Sequence, residues 1–281
     1  MTSEKYLIAI DLDGTMLKDD KTISTKTYFA IKEALKAGHE VAIATGRPYR
    51  ASKMYYQQLG LKSPIVNFNG AYVHHPGNSG FATHHSPLEL ETARKIIETC
   101  RYFKVNNMMA EVADDVFLDD YDEQFIDLFA LGGVPAAFGD LGSLLQKDPT
   151  SLLVYPKEDH AAELKELLSG NHSQAIEQRS WGAPHHMIEI INTGNNKAEG
   201  LRKLTSHYNI SMENVIAFGD EDNDLEMLSE AGFGVAMGNA IDDLKDTANE
   251  VTLSNEEDGI AVYLNKKLGL SSRTVQVDRQ G

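Results

Sequence analysis

The sequence has a single cysteine and no long hydrophobic run. Cys100 has no possible partner within the chain, so an intramolecular disulfide framework is excluded. The first apolar segment, residues 6–10, is far shorter than the roughly 18 apolar residues that a membrane span needs, and it lacks the pattern of a signal peptide. We therefore expect a cytoplasmic location and no membrane partner.

Basic residues are also scarce. The chain has 26 Lys and Arg against 42 Asp and Glu, which gives a formal net charge of -16. This balance argues against nucleic acid as the main partner, because binding it requires a basic face that neutralises phosphates. A small anionic substrate stays compatible with this charge, since a bound cation reverses the sign of the field locally.

The first part of the chain alternates between strand and helix patterns. Short apolar strands are predicted at residues 7–10, 41–44 and 64–68, and helices are predicted to begin near Ser24 and Pro48. Such βαβαβ order is typical of an open parallel sheet. Short strands, helices and acidic turns follow, and the first pattern returns later in the chain.

The predicted fold class is therefore α/β, with a Rossmann-like open parallel sheet as the core and an α+β domain inserted into it. The 281 residues are enough for two such domains. The predicted boundaries are residues 1–83 and 193–270 for the core, 84–192 for the inserted domain, and 271–281 for a disordered tail.

Two predicted strands run directly into acidic residues. Asp11 and Asp13 follow residues 7–10, whereas Asp220 and Asp224 follow a second apolar strand at residues 215–218. Parallel strands deliver their carboxyl ends to one edge of a sheet, so these acids are expected to converge there. Clustered carboxylates repel one another away from bulk solvent unless a cation lies between them. Oxygen ligands of this kind suit Mg²⁺.

Other residues at the predicted sheet edge suit a phosphate group. Thr45, Gly46 and Arg47 lie between a strand and a helix, where a hydroxyl and open helix amides can hold phosphate oxygens. Lys197 begins the helix that returns to the core and offers a positive charge. Asn69 follows the third predicted strand and is also a good turn residue.

These motifs, taken in order, resemble a known superfamily. Residues 11–15, Thr45, Lys197 and residues 219–224 are similar to the four ordered motifs of the haloacid dehalogenase superfamily. Residues 44–47 and 69–71 resemble its Cof-type sugar-phosphatase branch, in which a large α+β cap is inserted after the third core strand. The resemblance covers nearly the whole chain and implies that the inserted domain is such a cap.

The resemblance also implies roles for the acids. Asp11 is expected to attack phosphorus and form an aspartyl-phosphate, and Asp13 to act first as general acid and then as general base. Mg²⁺ is expected to be held by Asp11, by the backbone carbonyl of Asp13 and by Asp220, with Asp224 in support.

The same resemblance assigns the phosphate group to Thr45, Gly46, Lys197 and Asn223. Arg47 and Asn69 are weaker candidates for contact with the rest of the substrate.

The resulting functional prediction is a Mg²⁺-dependent phosphatase for small phosphorylated metabolites. Sugar phosphates and phosphorylated precursors of flavin or pyridoxal type are the implied substrates. A phosphomutase of the same fold is the alternative. A phospho-aspartate signalling module is a further alternative, which the chain length and the insertion disfavour. The oligomeric state is not indicated by the sequence.

Three pairs of adjacent histidines do not indicate a second metal site. Neighbouring residues point to different sides of a strand or helix, so each pair is a poor chelate. We expect structural roles for residues 74–75, 84–85 and 185–186, and packing for Trp181. The acidic stretch 114–123 is expected to be a solvated turn followed by a helix start.

Overall fold

The computed structural model describes residues 4–172, 174–180 and 186–270, so the predicted tail, His185 and Trp181 lie outside the described residues. Within the described residues the chain forms two compact units. The first unit consists of the described residues up to Ile43, of Gln58–Ser63 and of the described residues from Leu204 onward. The second consists of Ala44–Gln57 and Pro64–Lys203. The domain boundaries predicted from the sequence stay a prediction.

The helices and strands follow one another along the chain in two long stretches. The first stretch comprises β1 (Leu7–Ile10), α1 (Thr25–Lys36), β2 (Glu40–Ile43), α2 (Tyr49–Gln58), β3 (Ile65–Asn67), β4 (Tyr72–His74), β5 (His84–His85), α3 (Leu90–Tyr102), β6 (Asn107–Val112), β7 (Asp115–Leu118), α4 (Glu123–Phe129) and β8 (Pro135–Phe138). The second comprises α5 (Leu141–Leu144), β9 (Ser151–Tyr155), α6 (Ala161–His172), β10 (Ile176–Ser180), β11 (Ile188–Asn192), α7 (Lys197–Tyr208), β12 (Val215–Gly219), α8 (Leu225–Glu230), β13 (Phe233–Ala236), α9 (Asp242–Thr247), β14 (Glu250–Val251) and α10 (Gly259–Leu268).

A five-stranded parallel sheet forms the core of the first unit. Its strand order is β14-β13-β12-β1-β2, and β1 pairs with β12 on one side and β2 on the other. All residues of β1 and residues 215–218 of β12 are fully buried. Strands buried on both faces read as continuous apolar runs, which explains why both were predicted with nearly correct bounds. β2 begins one residue earlier than predicted.

A six-stranded sheet belongs to the second unit and lies within the predicted insertion. Its order is β10-β11-β9-β6-β7-β8, antiparallel except for the β7–β8 pair. Side chains of β6 alternate between two buried clusters: Met108 and Ala110 pack with residues of α3, α5 and α6, and Met109 packs with Phe125 of α4. The predicted fold class, a parallel sheet with an α+β insertion, is confirmed.

The acidic stretch 114–123 forms more regular structure than the expected turn. Strand β7 occupies the first half of the stretch, and α4 begins at its end with the Asp122 side chain accepting a hydrogen bond from the Phe125 amide. The helix start is therefore confirmed, and the strand was missed.

The third predicted strand differs most from expectation. β3 pairs antiparallel with β4, and β5 completes a three-stranded sheet. Among the described residues, the parallel pairing of β3 consists of one bridge between Ala44 and Val66. The chain turns back at once because Phe68, Asn69 and Gly70 all have left-handed backbone conformations, so the strand also ends before the predicted Phe68.

Among the described residues, no helix combines the length and the apolarity that crossing a bilayer requires.

Helix α7 approaches β3 closely at a glycine. A Cβ atom on Gly200 would overlap the Cγ1 atom of Val66, which is itself fully buried. Gly170 in α6 offers a comparison, since nothing lies within 4 Å of the position that its Cβ would take.

We expect Gly200→Ala to lower the free energy of unfolding by about 1–2 kcal/mol, because overpacking outweighs the gain in helix propensity. Gly170→Ala should instead raise it by about 0.5–1 kcal/mol. Guanidinium denaturation of both variants measures the difference. Equal shifts of the same sign would show that the contact with Val66 is unimportant.

Candidate active site

Three buried carboxylates meet at the carboxyl ends of β1 and β12. Side-chain oxygens of Asp11, Asp220 and Asp224 lie within 4.8 Å of one another. Asp11 follows β1 directly, and its amide donates to the carbonyl of Phe218 at 3.1 Å, which extends the pairing with β12 by one residue. The sheet therefore brings together acids from the two ends of the sequence.

Hydrogen bonds fix two of these acids. The Thr15 hydroxyl donates to Oδ1 of Asp220 at 2.6 Å. Oδ2 of Asp224 accepts the backbone N–H groups of Asp220 at 3.0 Å and of Glu221 at 3.2 Å. Thr15 was quoted in the sequence motif but given no role there. Its contact with Asp220 shows that it orients a candidate metal ligand.

Glycines make the close approach of the two acidic loops possible. Gly14 has a φ of +74°, which favours glycine, and a Cβ there would overlap the carboxylate of Asp220. A Cβ on Gly219 would likewise overlap the carboxyl group of Asp224. Larger residues at either position would push a carboxylate out of the cluster.

The donor set suits a hard divalent cation. Three buried carboxylates within a few ångströms repel one another, so a cation between them relieves an unfavourable charge. The candidate ligand atoms are all oxygens, as Mg²⁺ prefers. The residues present therefore fit the predicted metal.

Asp13 stands apart from this cluster. Its side chain is 43% exposed and forms an ion pair with Nζ of Lys21 at 2.9 Å. Lys21 has a left-handed backbone conformation at a turn that brings residues 18–22 back toward the acid. A half-exposed carboxylate is able to exchange protons with water. Sequence reasoning missed Lys21 because the turn that brings it close has no strong sequence signal.

Thr45, Gly46 and Asn69 lie close together within the second unit. The Thr45 amide donates to the Val66 carbonyl at 2.9 Å, and the Asn69 amide donates to the Thr45 carbonyl at 3.1 Å. The Thr45 hydroxyl oxygen accepts the Arg47 amide at 3.1 Å, so its proton can still be donated. A Cβ on Gly46 would lie 3.1 Å from Nδ2 of Asn69.

Lys197 is fully buried at the first position of α7. A Cβ on Gly70 would overlap the carbonyl oxygen of Asn196, so the turn at residues 68–70 packs against the start of this helix. The Asn196 side chain accepts the Glu199 amide at 2.9 Å and caps the helix. Within the second unit, the Asn69 turn and the segment that carries Lys197 are therefore neighbours.

Arg47 and Asn223 lie in different local environments. The Arg47 guanidinium donates to the Ala51 carbonyl at 3.3 Å and lies 5.7 Å from the centre of the Tyr55 ring. Asn223 is half-buried in the short 3₁₀ helix Asp222–Asp224, and it directly precedes Asp224 in the sequence.

His74 and His85 pack against neighbouring side chains. The ring of His74 lies between Tyr49 and Tyr72, and burial lowers its pKa, which favours the neutral form. Nε2 of His85 lies 2.9 Å from the Thr150 hydroxyl, and burial lowers the pKa of this histidine also. These contacts agree with packing roles rather than metal binding.

Comparison with known proteins decides the family. The model of the haloacid dehalogenase-like hydrolases matches residues 8–264. The chain belongs to this family. The recognition made from the four motifs is therefore confirmed.

Two relatives are named as phosphatases. The 5-amino-6-(5-phospho-D-ribitylamino)uracil phosphatase YitU of Bacillus subtilis (strain 168) is 49% identical over 270 residues, covering 96% of this chain and 100% of the relative. The pyridoxal phosphate phosphatase YbhA of Escherichia coli (strain K12) is 31% identical over 269 residues, covering 92% of this chain and 97% of the relative. The predicted enzyme class, a phosphoric monoester hydrolase, is confirmed.

A solved structure shows the same fold. TM0651 from Thermotoga maritima matches with a TM-score of 0.82 and 28% identity, covering 93% of this chain and 97% of that one.

The buried acids generate a prediction about stability and metal. We expect Asp11→Asn to raise the free energy of unfolding in excess chelator by about 1 kcal/mol, because it removes one of three like charges. The variant should lose the stabilisation that saturating Mg²⁺ gives the wild type, which reaches about 2.7 kcal/mol at a hundredfold excess over Kd. Guanidinium denaturation with and without Mg²⁺ measures both effects.

Asp243→Asn is the matched control, because Asp243 is exposed on α9 of the same unit. It should leave the response to Mg²⁺ unchanged. If Asp11→Asn keeps the full response, the cation does not bind at this cluster.

Proposed function

We propose that the enzyme is a Mg²⁺-dependent phosphatase that works through an aspartyl-phosphate, with 5-amino-6-(5-phospho-D-ribitylamino)uracil as its leading substrate. The observation that carries the mechanism is the cluster of three buried carboxylates at the ends of two adjacent parallel strands. The substrate rests on the 49% identity with the Bacillus subtilis phosphatase along the whole of that relative.

Asp11 is the proposed nucleophile. One of its carboxylate oxygens attacks phosphorus, the bond from phosphorus to the ester oxygen breaks, and an aspartyl-phosphate forms. Asp11, Asp220 and the backbone carbonyl of Asp13 would hold the cation, with Asp224 in support. When bound, Mg²⁺ would supply positive charge that offsets the negative charges of the nucleophile and the phosphate.

Asp13 is the proposed acid and base. In the first step its carboxyl group gives a proton to the departing alcohol oxygen. In the second step the carboxylate takes a proton from the water that attacks phosphorus, the bond between Asp11 and phosphorus breaks, and inorganic phosphate leaves. The half-exposed position of Asp13 supports this exchange, and Asp11 is buried within the cluster of three carboxylates.

The phosphoryl oxygens are assigned to Thr45, Gly46, Lys197 and Asn223 by the motif order. The hydroxyl proton of Thr45 and the buried ammonium of Lys197 are the donors that suit a charged phosphoryl group. Arg47 and Asn69 stay proposed contacts to the rest of the substrate.

The identity with the two named phosphatases sets the order in which substrates are tested. The phosphorylated ribitylaminouracil comes first, because the relative named for it shares the most identity of the two. Pyridoxal phosphate comes second, followed by simple sugar phosphates. All three are small phosphomonoesters, and the ribitylaminouracil belongs to the flavin-type precursors inferred from the sequence.

Release of inorganic phosphate from this panel tests the proposal. The wild type should release phosphate with Mg²⁺ but not with excess chelator, and kcat/KM should be highest for the ribitylaminouracil phosphate. Asp11→Asn should abolish turnover, and Asp13→Asn should reduce kcat by roughly 10²–10⁴-fold, the usual contribution of general acid–base catalysis. Asp243→Asn should match the wild type.

Other outcomes identify the alternatives. Conversion of a sugar phosphate to its isomer without free phosphate would indicate a phosphomutase. Faster turnover of pyridoxal phosphate than of the ribitylaminouracil phosphate would overturn the substrate assignment but leave the mechanism intact.

A further inference from the structure

A side-chain amide connects the loop after β13 to the segment that carries the acids. Nδ2 of Asn239 donates to the carbonyl oxygen of Gly14 at 2.8 Å. Oδ1 of Asn239 accepts the backbone N–H of Asn255 at 3.0 Å. One partner is a carbonyl and the other an N–H group, so the two bonds fix the orientation of the amide.

Asn255 continues this connection to a second point on the same segment. Its Nδ2 donates to the carbonyl oxygen of Leu17 at 2.9 Å, and the residue is only 9% exposed. Gly14 and Leu17 flank a tight turn, in which the Leu17 amide donates to the Leu12 carbonyl at 2.9 Å. The two asparagine side chains therefore form hydrogen bonds to both ends of the turn that directly follows Asp13.

The loops that carry the asparagines are built to lie against each other. A Cβ on Gly238 would come within 2.7 Å of the Ser254 nitrogen, and the Gly238 amide donates to the Leu253 carbonyl at 3.1 Å. A side chain at position 238 would separate Asn239 from Asn255 and break their hydrogen bond.

The same loop also holds the second acidic segment. The Met237 amide donates to the Gly219 carbonyl and the Ile241 amide donates to the Asp220 carbonyl, each at 3.0 Å. Residues 237–241 thus form hydrogen bonds to the backbone beside Asp220 and, through Asn239, to the backbone beside Asp13.

We propose that Asn239 and Asn255 are positioning residues that hold Asp11 and Asp13 in register with Asp220 for phosphoryl transfer. The proposal rests on the proposed function for its catalytic part. Neither side chain needs to touch the substrate, because each acts through the backbone of residues 14–17. A misplacement of about 1 Å at a reacting group costs roughly 10²-fold in rate, so small shifts of this turn matter.

An amide is needed at position 239 because it donates and accepts at once. Aspartate has the same shape and still accepts the Asn255 N–H, but its second oxygen faces the Gly14 carbonyl and cannot donate. The hydrogen bonds that connect Asn239 and Asn255 to the turn at residues 14–17 are called the relay. Asn239→Asp breaks the bond to the Gly14 carbonyl and keeps the bond to the Asn255 amide, whereas Asn239→Ala breaks both.

The first experiment compares Asn239→Ala, Asn239→Asp and Asn255→Ala with the wild type in phosphate release. We expect each to lower kcat by roughly 10–100-fold, with KM changed by less than about threefold, because the interaction lost serves the transition state. The Asn239→Ala, Asn255→Ala double variant should lose little more than the worse single variant, since both side chains hold the same turn.

Asn249→Ala is the matched control. Asn249 also uses its side chain on a backbone group of the first unit, accepting the Gly234 amide at 2.6 Å near the start of β13. It should lower thermal stability without lowering kcat at temperatures where the protein is folded. A kcat for the relay variants within about twofold of this control would overturn the proposal.

Hydrogen exchange separates this proposal from the proposed function. The amide hydrogen of Leu17 should exchange faster in the relay variants than in the wild type, and its exchange rate should be unchanged in Asn249→Ala. Both results are expected whether or not any substrate turns over. If the wild type releases no phosphate from the panel, the proposed function fails while faster exchange still supports the relay. Unchanged exchange in Asn239→Ala and Asn255→Ala would refute the relay even in an active enzyme.

Discussion

Mutual repulsion among Asp11, Asp220 and Asp224 is the constraint on which the first unit is organised. Their oxygens lie within 4.8 Å of one another and are shielded from solvent, where like charges interact strongly. The fully buried strands β1 and β12 supply the apolar contacts that offset this repulsion. Relief of this repulsion favours the binding of a cation, and the glycines at positions 14 and 219 allow the carboxylates to lie this close together.

The parts of the fold that the sequence predicts best are those with a local cause. β1, β12 and α7 have nearly the predicted bounds, because a short apolar run or a helix start is visible in the residues themselves. The ordered motifs identified the family. The sequence indicated a turn at Asn69, but the reversal into an antiparallel strand was missed, because nothing local marks Phe68 as a left-handed residue.

The site was predicted less completely than the fold for a related reason. Acids that directly follow apolar strands are visible in the sequence, and this position predicted that Asp11 and Asp220 would converge, as they do. Asn239 and Asn255 cannot be found in that way, since their bonds to Gly14 and Leu17 span 225 and 238 residues. Each is a single polar side chain in a loop, where asparagine is common for turn formation alone.

The pairing of β1 with β12 has a consequence for synthesis on the ribosome. Leu7 pairs with Val215, so β1 leaves the ribosome well before its neighbour β12 has been translated. The six-stranded sheet is translated entirely within that interval and has its own buried clusters. During translation this sheet can fold while β1 keeps one edge unpaired, which is the kind of surface that chaperones protect. Asp11 therefore leaves the ribosome well before Asp220 and Asp224, the acids that it lies beside in the folded chain.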